Sequence, residues 1–276
     1  MKKTLMKSLL LAVFALATQS VCAQGVVANI QPNMSNGQKF FFDEILYEIT
    51  AASGSQYDVK AIGFYCEGSA FADAVIEIIG NGEANGASFT VTEIEALNAV
   101  YKMQGSDYVA GSASLADIEL IKFVNEDNNG FAGTIKAGAF ANLSGLTDIE
   151  VAAETPCAAE SGCFDTNIKN NVKLSVPAAK YGQIAGKYAN APGWSEVKRL
   201  YTIGDEFAFG DVDCNNNFNS NDASLLKVFA KVRPANEGSF DQTINLNSID
   251  IDGNGNKNSN DASVLKVMIK NRARKK

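Results

Sequence analysis

The chain has 276 residues, 46% of them hydrophobic, enough to bury a sizeable core in one or two domains and to exclude a chain disordered throughout. With 24 Lys and Arg against 31 Asp and Glu, the net charge of -7 offers no overall basic field for a phosphate backbone, which argues against nucleic acid as a partner. There is no His, so Ser-His-Asp and Cys-His nucleophile pairs, imidazole bases and His-containing zinc sites are excluded as well.

In chain order, Lys2, Lys3 and Lys7 precede an apolar stretch from Leu9 to Ala17, and Val21-Cys22-Ala23 sets small residues before Gln24. That order predicts a cleaved signal peptide over residues 1–23 and a secreted or cell-surface protein. A lipoprotein site would need a small residue just before Cys22, where Val21 stands. No later segment approaches the roughly 18 apolar residues of a membrane span. Cys66, Cys157, Cys163 and Cys214 remain after cleavage. Cys157 and Cys163 enclose a short flexible Ala-Ala-Glu-Ser-Gly loop and are open to two readings, a disulfide or two separate thiols. Without a C-x-x-C pair, zinc is not indicated.

Residues 24–38 are rich in Asn, Gln, Gly and Ser and lack the apolar residues that offset ordering entropy, which predicts a flexible leader. From Lys39 to about Tyr201 short apolar segments alternate with Gly, Asn and Ser turns, predicting a β-rich body over residues 39–203. Within it, Leu115-Ala-Asp-Ile-Glu-Leu120 recurs as Leu146-Thr-Asp-Ile-Glu-Val151, an offset of 31 residues from 115 to 146. Read as strands, these put Ile149 and Val151 on one face and Glu150 on the other, with Ile118 and Leu120 opposite Glu119. Such strands cannot bury an apolar face alone, so stacked copies forming an irregular solenoid are expected, with Ala139-Phe140 filling the core at the turn. A two-sheet β-sandwich is the competing fold.

The segment from Gly138 to Val151, flanked by Phe41 to Thr50 upstream and by Leu174 to Pro177 and Tyr181 to Trp194 downstream, resembles the BspA-type leucine-rich repeat proteins. Over about 160 residues that resemblance implies a mixed, β-rich leucine-rich repeat solenoid and leaves its ligand unknown. Glu93, Glu95, Asp117, Glu119, Asp148 and Glu150 are read as solvated strand and turn positions. With a single Trp, Trp194, the body has little of the aromatic platform that sugar clefts use, so no catalytic residue is expected.

The strongest pattern lies in the last quarter, residues 205–276. Asp211-Val-Asp-Cys-Asn-Asn-Asn-Phe-Asn-Ser-Asn-Asp222 recurs as Asp250-Ile-Asp-Gly-Asn-Gly-Asn-Lys-Asn-Ser-Asn-Asp261. Each copy sets oxygen-bearing side chains at loop positions 1, 3, 5, 9 and 12, the spacing by which a tight loop wraps hard ligands around Ca²⁺. The expected ligands of a first ion are Asp211, Asp213, Asn215, the carbonyl of Asn217 and Asp222, with Asn219 acting through water. Those of a second ion are Asp250, Asp252, Asn254, the carbonyl of Asn256 and Asp261, with Asn258 in the Asn219 role. Gly255 and Asn216 occupy the sharp bend at position 6. Each loop runs directly into a helix with aliphatic residues at helical spacing, and the two helices are expected to pack together.

A loop and helix repeated twice, without the preceding helix of a full EF-hand and ending in Asp, resembles the type I dockerin module, a pair of F-hands. The resemblance spans about Gly210 to Asn271 and implies a cohesin-like partner facing loop positions 10 and 11, here Ser220-Asn221 and Ser259-Asn260. Because both copies carry the same pair, it also implies two binding orientations related by a half turn. Position 8 departs from the family's usual small aliphatic residue, with Phe218 in one loop and Lys257 in the other. The sequence as a whole reads as a secreted, non-catalytic recognition protein that docks through its calcium-binding tail, with a polysaccharide-degrading assembly as one setting the resemblance implies. The alternatives are a surface adhesin binding host or bacterial ligands through its repeats, and a carbohydrate-active enzyme.

Overall fold

The structure, a computed structural model, describes residues 28–124, 131–232, 240 and 242–274. The expected signal peptide lies outside them. Short apolar and polar alternations give the strands β1 (Lys39–Phe42), β2 (Ile45–Ser53), β3 (Gln56–Tyr65), β4 (Val75–Ile79), β5 (Asn81–Ala84), β6 (Ala87–Ile94), β7 (Val100–Gln104) and β8 (Asp107–Ala110). They continue as β9 (Leu120–Val124), β10 (Thr134–Ile135), β11 (Asp148–Val151), β12 (Ala158–Ala159), β13 (Lys173–Val176) and β14 (Arg199–Thr202). Helices α1 (Thr166–Asn171) and α2 (Gln183–Asn190) sit between late strands, and α3 (Ser220–Val232) and α4 (Ser259–Arg274) follow them.

The strands form two sheets. One is mixed, in the order β1-β2-β3-β6-β10-β12, with β5 on the flank of β6 and β7 joining β3 to β8. The other is parallel, in the order β14-β13-β11-β9-β4. From β9 onward its members lie beside their successors in the chain. Ile76, Ile121, Ile149, Leu174 and Leu200 stand in register across all five strands and are buried, one inward row of a period-2 pattern. Between the sheets Trp194 meets Phe123 at 5.9 Å, Phe164 at 5.3 Å and Tyr188 at 5.2 Å between ring centres. Edge and tilted contacts of this kind add to simple area burial.

Two sequence expectations need correction. The register pairs Leu120 with Asp148 and Ile121 with Ile149, an offset of 28 rather than 31. Leu115–Asp117 is a 3-10 turn, its Ala116 N–H donating to the Ser114 hydroxyl at 3.2 Å. The strand therefore starts at Leu120, and Ile121 and Phe123, not Leu120, point inward, while Ile118 is buried just before the strand. The described part of the leader, from Ala28, is also packed. Ile30 is fully buried, the Tyr57 hydroxyl donates to the Gln31 carbonyl at 3.0 Å, and Gly37 N–H donates to Ile49 O at 2.8 Å.

The body and the C-terminal segment share one hydrophobic core that runs from Phe40 through Trp194 and Leu200 to Phe209, Leu226, Ile249 and Leu265. Cys157 and Cys163 stand as free thiols, pushed up by burial to about 12 and about 11. Among the described residues no helix is long and apolar enough to cross a membrane.

Candidate metal centres

Each acidic loop is folded by its own side chains. In the first, Asp211 is buried and accepts backbone N–H groups from Asn215 at 3.1 Å and Asn216 at 2.7 Å. Asp222 is fully buried and reaches back across the loop: Oδ1 accepts from Val212 at 2.8 Å and Asp213 at 3.3 Å, and Oδ2 from Asn219 at 2.8 Å. The second loop repeats this. Asp250 accepts from Asn254 and Gly255 at 3.1 and 2.7 Å, and Asp261 from Ile251, Asp252 and Asn258 at 2.9, 3.4 and 2.8 Å. Acceptor-only carboxylates at positions 1 and 12 thus gather the loop amides, so the spacing read from sequence is a folding device as well as a ligand set.

Two bends close each loop. Position 6 is left-handed as expected, with Asn216 at φ 62° and Gly255 at φ 84°, but so is position 4, with Cys214 at φ 58° and Gly253 at φ 69°. The second bend was not read from sequence, because a non-glycine at that place gives no conformational signal. Asn219 and Asn258 turn their side-chain oxygens to the N–H groups of Asn221 and Asn260, at 2.9 and 2.8 Å, and so cap α3 and α4. With Asp222 and Asp261 bonding back to the capping residues' own N–H groups, each helix start is a reciprocal capping box.

In each triad, Asp211 with Asp213 and Asp222 and Asp250 with Asp252 and Asp261, the carboxylate oxygens converge to within 4.8 Å of one another. Burial, with the charges of neighbouring carboxylates adding to it, raises the carboxyls of Asp211, Asp213, Asp250 and Asp261 above their usual range. Asp213 Oδ1 is buried without a hydrogen-bond donor. The matching Asp252 Oδ2 instead accepts from the side-chain amides of Asn254 at 2.9 Å and Asn260 at 2.6 Å. Crowded, desolvated carboxylate oxygens, one of them unsatisfied in the first triad, fit a hard cation, and an all-oxygen set fits Ca²⁺ better than a thiolate- or imidazole-seeking metal. Asn215, Asn217, Asn254 and Asn256 lie exposed on the outer turn of the loops, and Asn217 O accepts from the Asn219 side-chain amide at 3.1 Å.

Ser220, Asn221, Ser259 and Asn260 are exposed at the helix starts. Sequence reading missed their continuation. Val228 and Val267 lie seven residues beyond Asn221 and Asn260, within about 20° of the same helix face, and are 47% and 56% exposed; Val232, one turn further on α3, is 59% exposed. These aliphatic side chains stay open at matching places of the repeat, and the duplicated Lys227-Val228 and Lys266-Val267 pairs were the available signal. Of the body carboxylates, Glu93 lies 4.0 Å from Lys136, which also pairs with Glu160 at 2.6 Å, and Asp117 and Glu119 are exposed.

Residues 209–270 match the Dockerin type I domain. No curated protein matches the chain. Among solved structures, that of the pneumococcal vaccine antigen PcpA is similar at 15% identity and a TM-score of 0.29, covering 61% of this chain. The chain spans 39% of that antigen's length.

Proposed function

We propose that the chain is a secreted, non-catalytic docking protein: its C-terminal module holds two Ca²⁺ ions, one per loop, and attaches a leucine-rich repeat body to a cohesin-like partner. The observation that carries this is the dockerin match over 209–270 on two loops in which the first and last of three convergent carboxylates gather matching backbone amides. A bound divalent ion would offset two of the three carboxylate charges in each triad. The residues of this chain then do the rest: Asp222 and Asp261 keep the loop amides gathered, and the capping boxes hold α3 and α4 in place.

The partner face in this reading runs along each helix from the Ser-Asn pair to the exposed valine, Ser220-Asn221 to Val228 and Ser259-Asn260 to Val267. Apolar side chains flanked by Lys227 and Lys266 suit a partner surface with an apolar centre and an acidic rim. For the body, the repeat reading is supported by parallel strands whose registers advance by 28, 25 and 26 residues from Leu120 to Asp148, Lys173 and Arg199.

A pull-down from the source's extracellular fraction with the full chain tests this, with and without chelator. Calcium-dependent recovery of one cohesin-like protein is expected. Recovery that is indifferent to chelator, or to charge placed at both Ser-Asn pairs together, overturns it.

A further inference from the structure

The two loops carry the same ligands but stand in different surroundings. The second lies against the body. Tyr181 at φ 61° and Gly182 at φ 78° are successive left-handed residues at the entry to α2, and the Tyr181 carbonyl accepts N–H groups from Ile249 at 3.2 Å and Asp250 at 3.0 Å. Asp250 is the first carboxylate of the loop. A left-handed tyrosine is costly unless its surroundings hold it, and what holds this one includes the metal loop.

One turn along α2, Gly186 and Gly253 approach backbone to backbone. A Cβ on Gly186 would stand 2.5 Å from Asp250 O and 2.6 Å from Gly253 N, and one on Gly253 would stand 2.5 Å from Lys187 N. Asn190 at the end of α2 donates its side-chain amide to Ile251 O at 2.9 Å. Lys257, at position 8 of this loop, has its ammonium 3.9 Å from the centre of the Tyr181 ring.

The first loop uses the same positions differently. The carbonyl at position 2, Val212 O, accepts from Asn245 N–H inside the module at 2.8 Å, where Ile251 O takes a body side chain. Cys214 stands at the place of Gly253. Phe218, at the place of Lys257, packs beside Gly210 and near Leu265, again within the module. The duplication has thus been resolved into one loop facing its own module and one seated on the body.

We propose that the second loop is the calcium site through which metal binding is coupled to the stability of the sheet body, whereas the first site fills with little effect on it. The inference rests on the calcium reading above. An ion that binds only the folded second loop stabilises whatever must unfold with that loop, and here that includes α2 and the wall around Trp194, which meets Tyr188 of α2. The coupling is reciprocal, so loosening the seam weakens the second site.

Trp194 is the only tryptophan and is buried in the body, so its fluorescence follows the body through thermal unfolding of the full chain, with Ca²⁺ alone as the probe. Calcium should raise the wild-type midpoint; Asp222→Ala should keep most of that rise and Asp261→Ala should lose it. Comparing the rise within each variant removes any effect of the substitution on the metal-free fold. Gly186→Ala, or the milder Asn190→Ala if the first does not fold, should lower calcium affinity at one site by about tenfold in calorimetry and leave the other unchanged. Equal rises in the two aspartate variants, or a seam variant with two undisturbed sites, overturn the coupling and leave the calcium reading standing. No calcium uptake by the wild-type chain overturns both.

Discussion

The sheet body and the C-terminal module share one core but are held by opposite means. In the body the inward rows are aliphatic and aromatic, and among the described residues its buried polar one is Thr202. The other buried polar or charged residues, Asp211, Asp222, Asn245, Ser248, Asp250 and Asp261, belong to the module. Buried apolar rows stabilise without help, whereas buried carboxylates cost free energy until they are bonded and neutralised. The body's inward rows therefore balance within the chain, the seam with the second loop included, while the module carries a charge that something outside the chain must balance.

The sharpest way to break that contrast is to put the module's chemistry into the body. Ile149 is fully buried at the centre of the parallel sheet, between Ile121 and Leu174. Ile149→Asp would strand a charge with no partner there and should cost more than about 4 kcal/mol, enough to abolish cooperative unfolding followed by circular dichroism. A variant that kept a cooperative transition within a few degrees of wild type would show that this row is not the core. Next in size is calcium removal. At a hundredfold excess over its dissociation constant each ion should stabilise by about 2.7 kcal/mol, so chelator should lower the helical signal of α3 and α4 while the sheet signal persists. Helical signal unchanged by chelator would mean the triads are balanced without metal.

The same contrast has a pH signature. In calcium-free protein the carboxyls of Asp211, Asp213, Asp250 and Asp261 lie above their usual range, through burial first. A raised folded-state value means that the folded module binds protons more tightly than the unfolded chain does. Its contribution is fully present below the unfolded value of about 3.9 and is lost as pH rises through the raised values. Metal-free protein should thus gain stability on acidification from neutral pH, and calcium should reverse the sign because protons then compete with the ion. Urea midpoints with and without chelator check this, and a metal-free midpoint that falls from about pH 7 to about pH 5 contradicts it.

What could be read in advance follows the same division. Loop spacing is local, so the convergence of Asp211, Asp213 and Asp222 and of Asp250, Asp252 and Asp261 was legible in advance, and so was the alternation of β11. Register was not: the 3-10 turn at Leu115–Asp117 depends on Ser114 and on a neighbouring coil, and it displaced the repeat alignment by three residues. Ile30 reads as leader because the groups bonded to this stretch, Tyr57 on Gln31 O and Asn85 on Ile30 O, lie far along the chain. The seam between Gly186 and Gly253 was invisible for the same reason, since two glycines far apart carry no mark of lying against each other.

A smaller test separates capping from metal binding within the module. Asn219 and Asn258 face helix amides, so Asn219→Ala or Asn258→Ala should cost about 1 kcal/mol at saturating calcium and should leave the number of bound ions unchanged. Loss of an ion on either substitution would return those side chains to the ligand set read from the spacing.

The smallest expected effect comes from the body's outer surface. Glu150 lies on β11 between two inward residues, Ile149 and Val151, and its register neighbours are Lys122 on one side and Ser175 on the other. Glu150→Gln preserves size and hydrogen-bonding capacity and removes only a partly solvated charge beside a partly solvated Lys122. Interactions of that kind are screened by water and salt, so the change should stay within about 0.5 kcal/mol, against the collapse expected one residue away at Ile149. Denaturant midpoints of the two variants, measured side by side, read the difference between the faces of a single strand. A loss above about 1 kcal/mol at Glu150 would mean that the outward face is itself buried against something, and the division between an apolar body and a charge-balanced module would have to be drawn elsewhere.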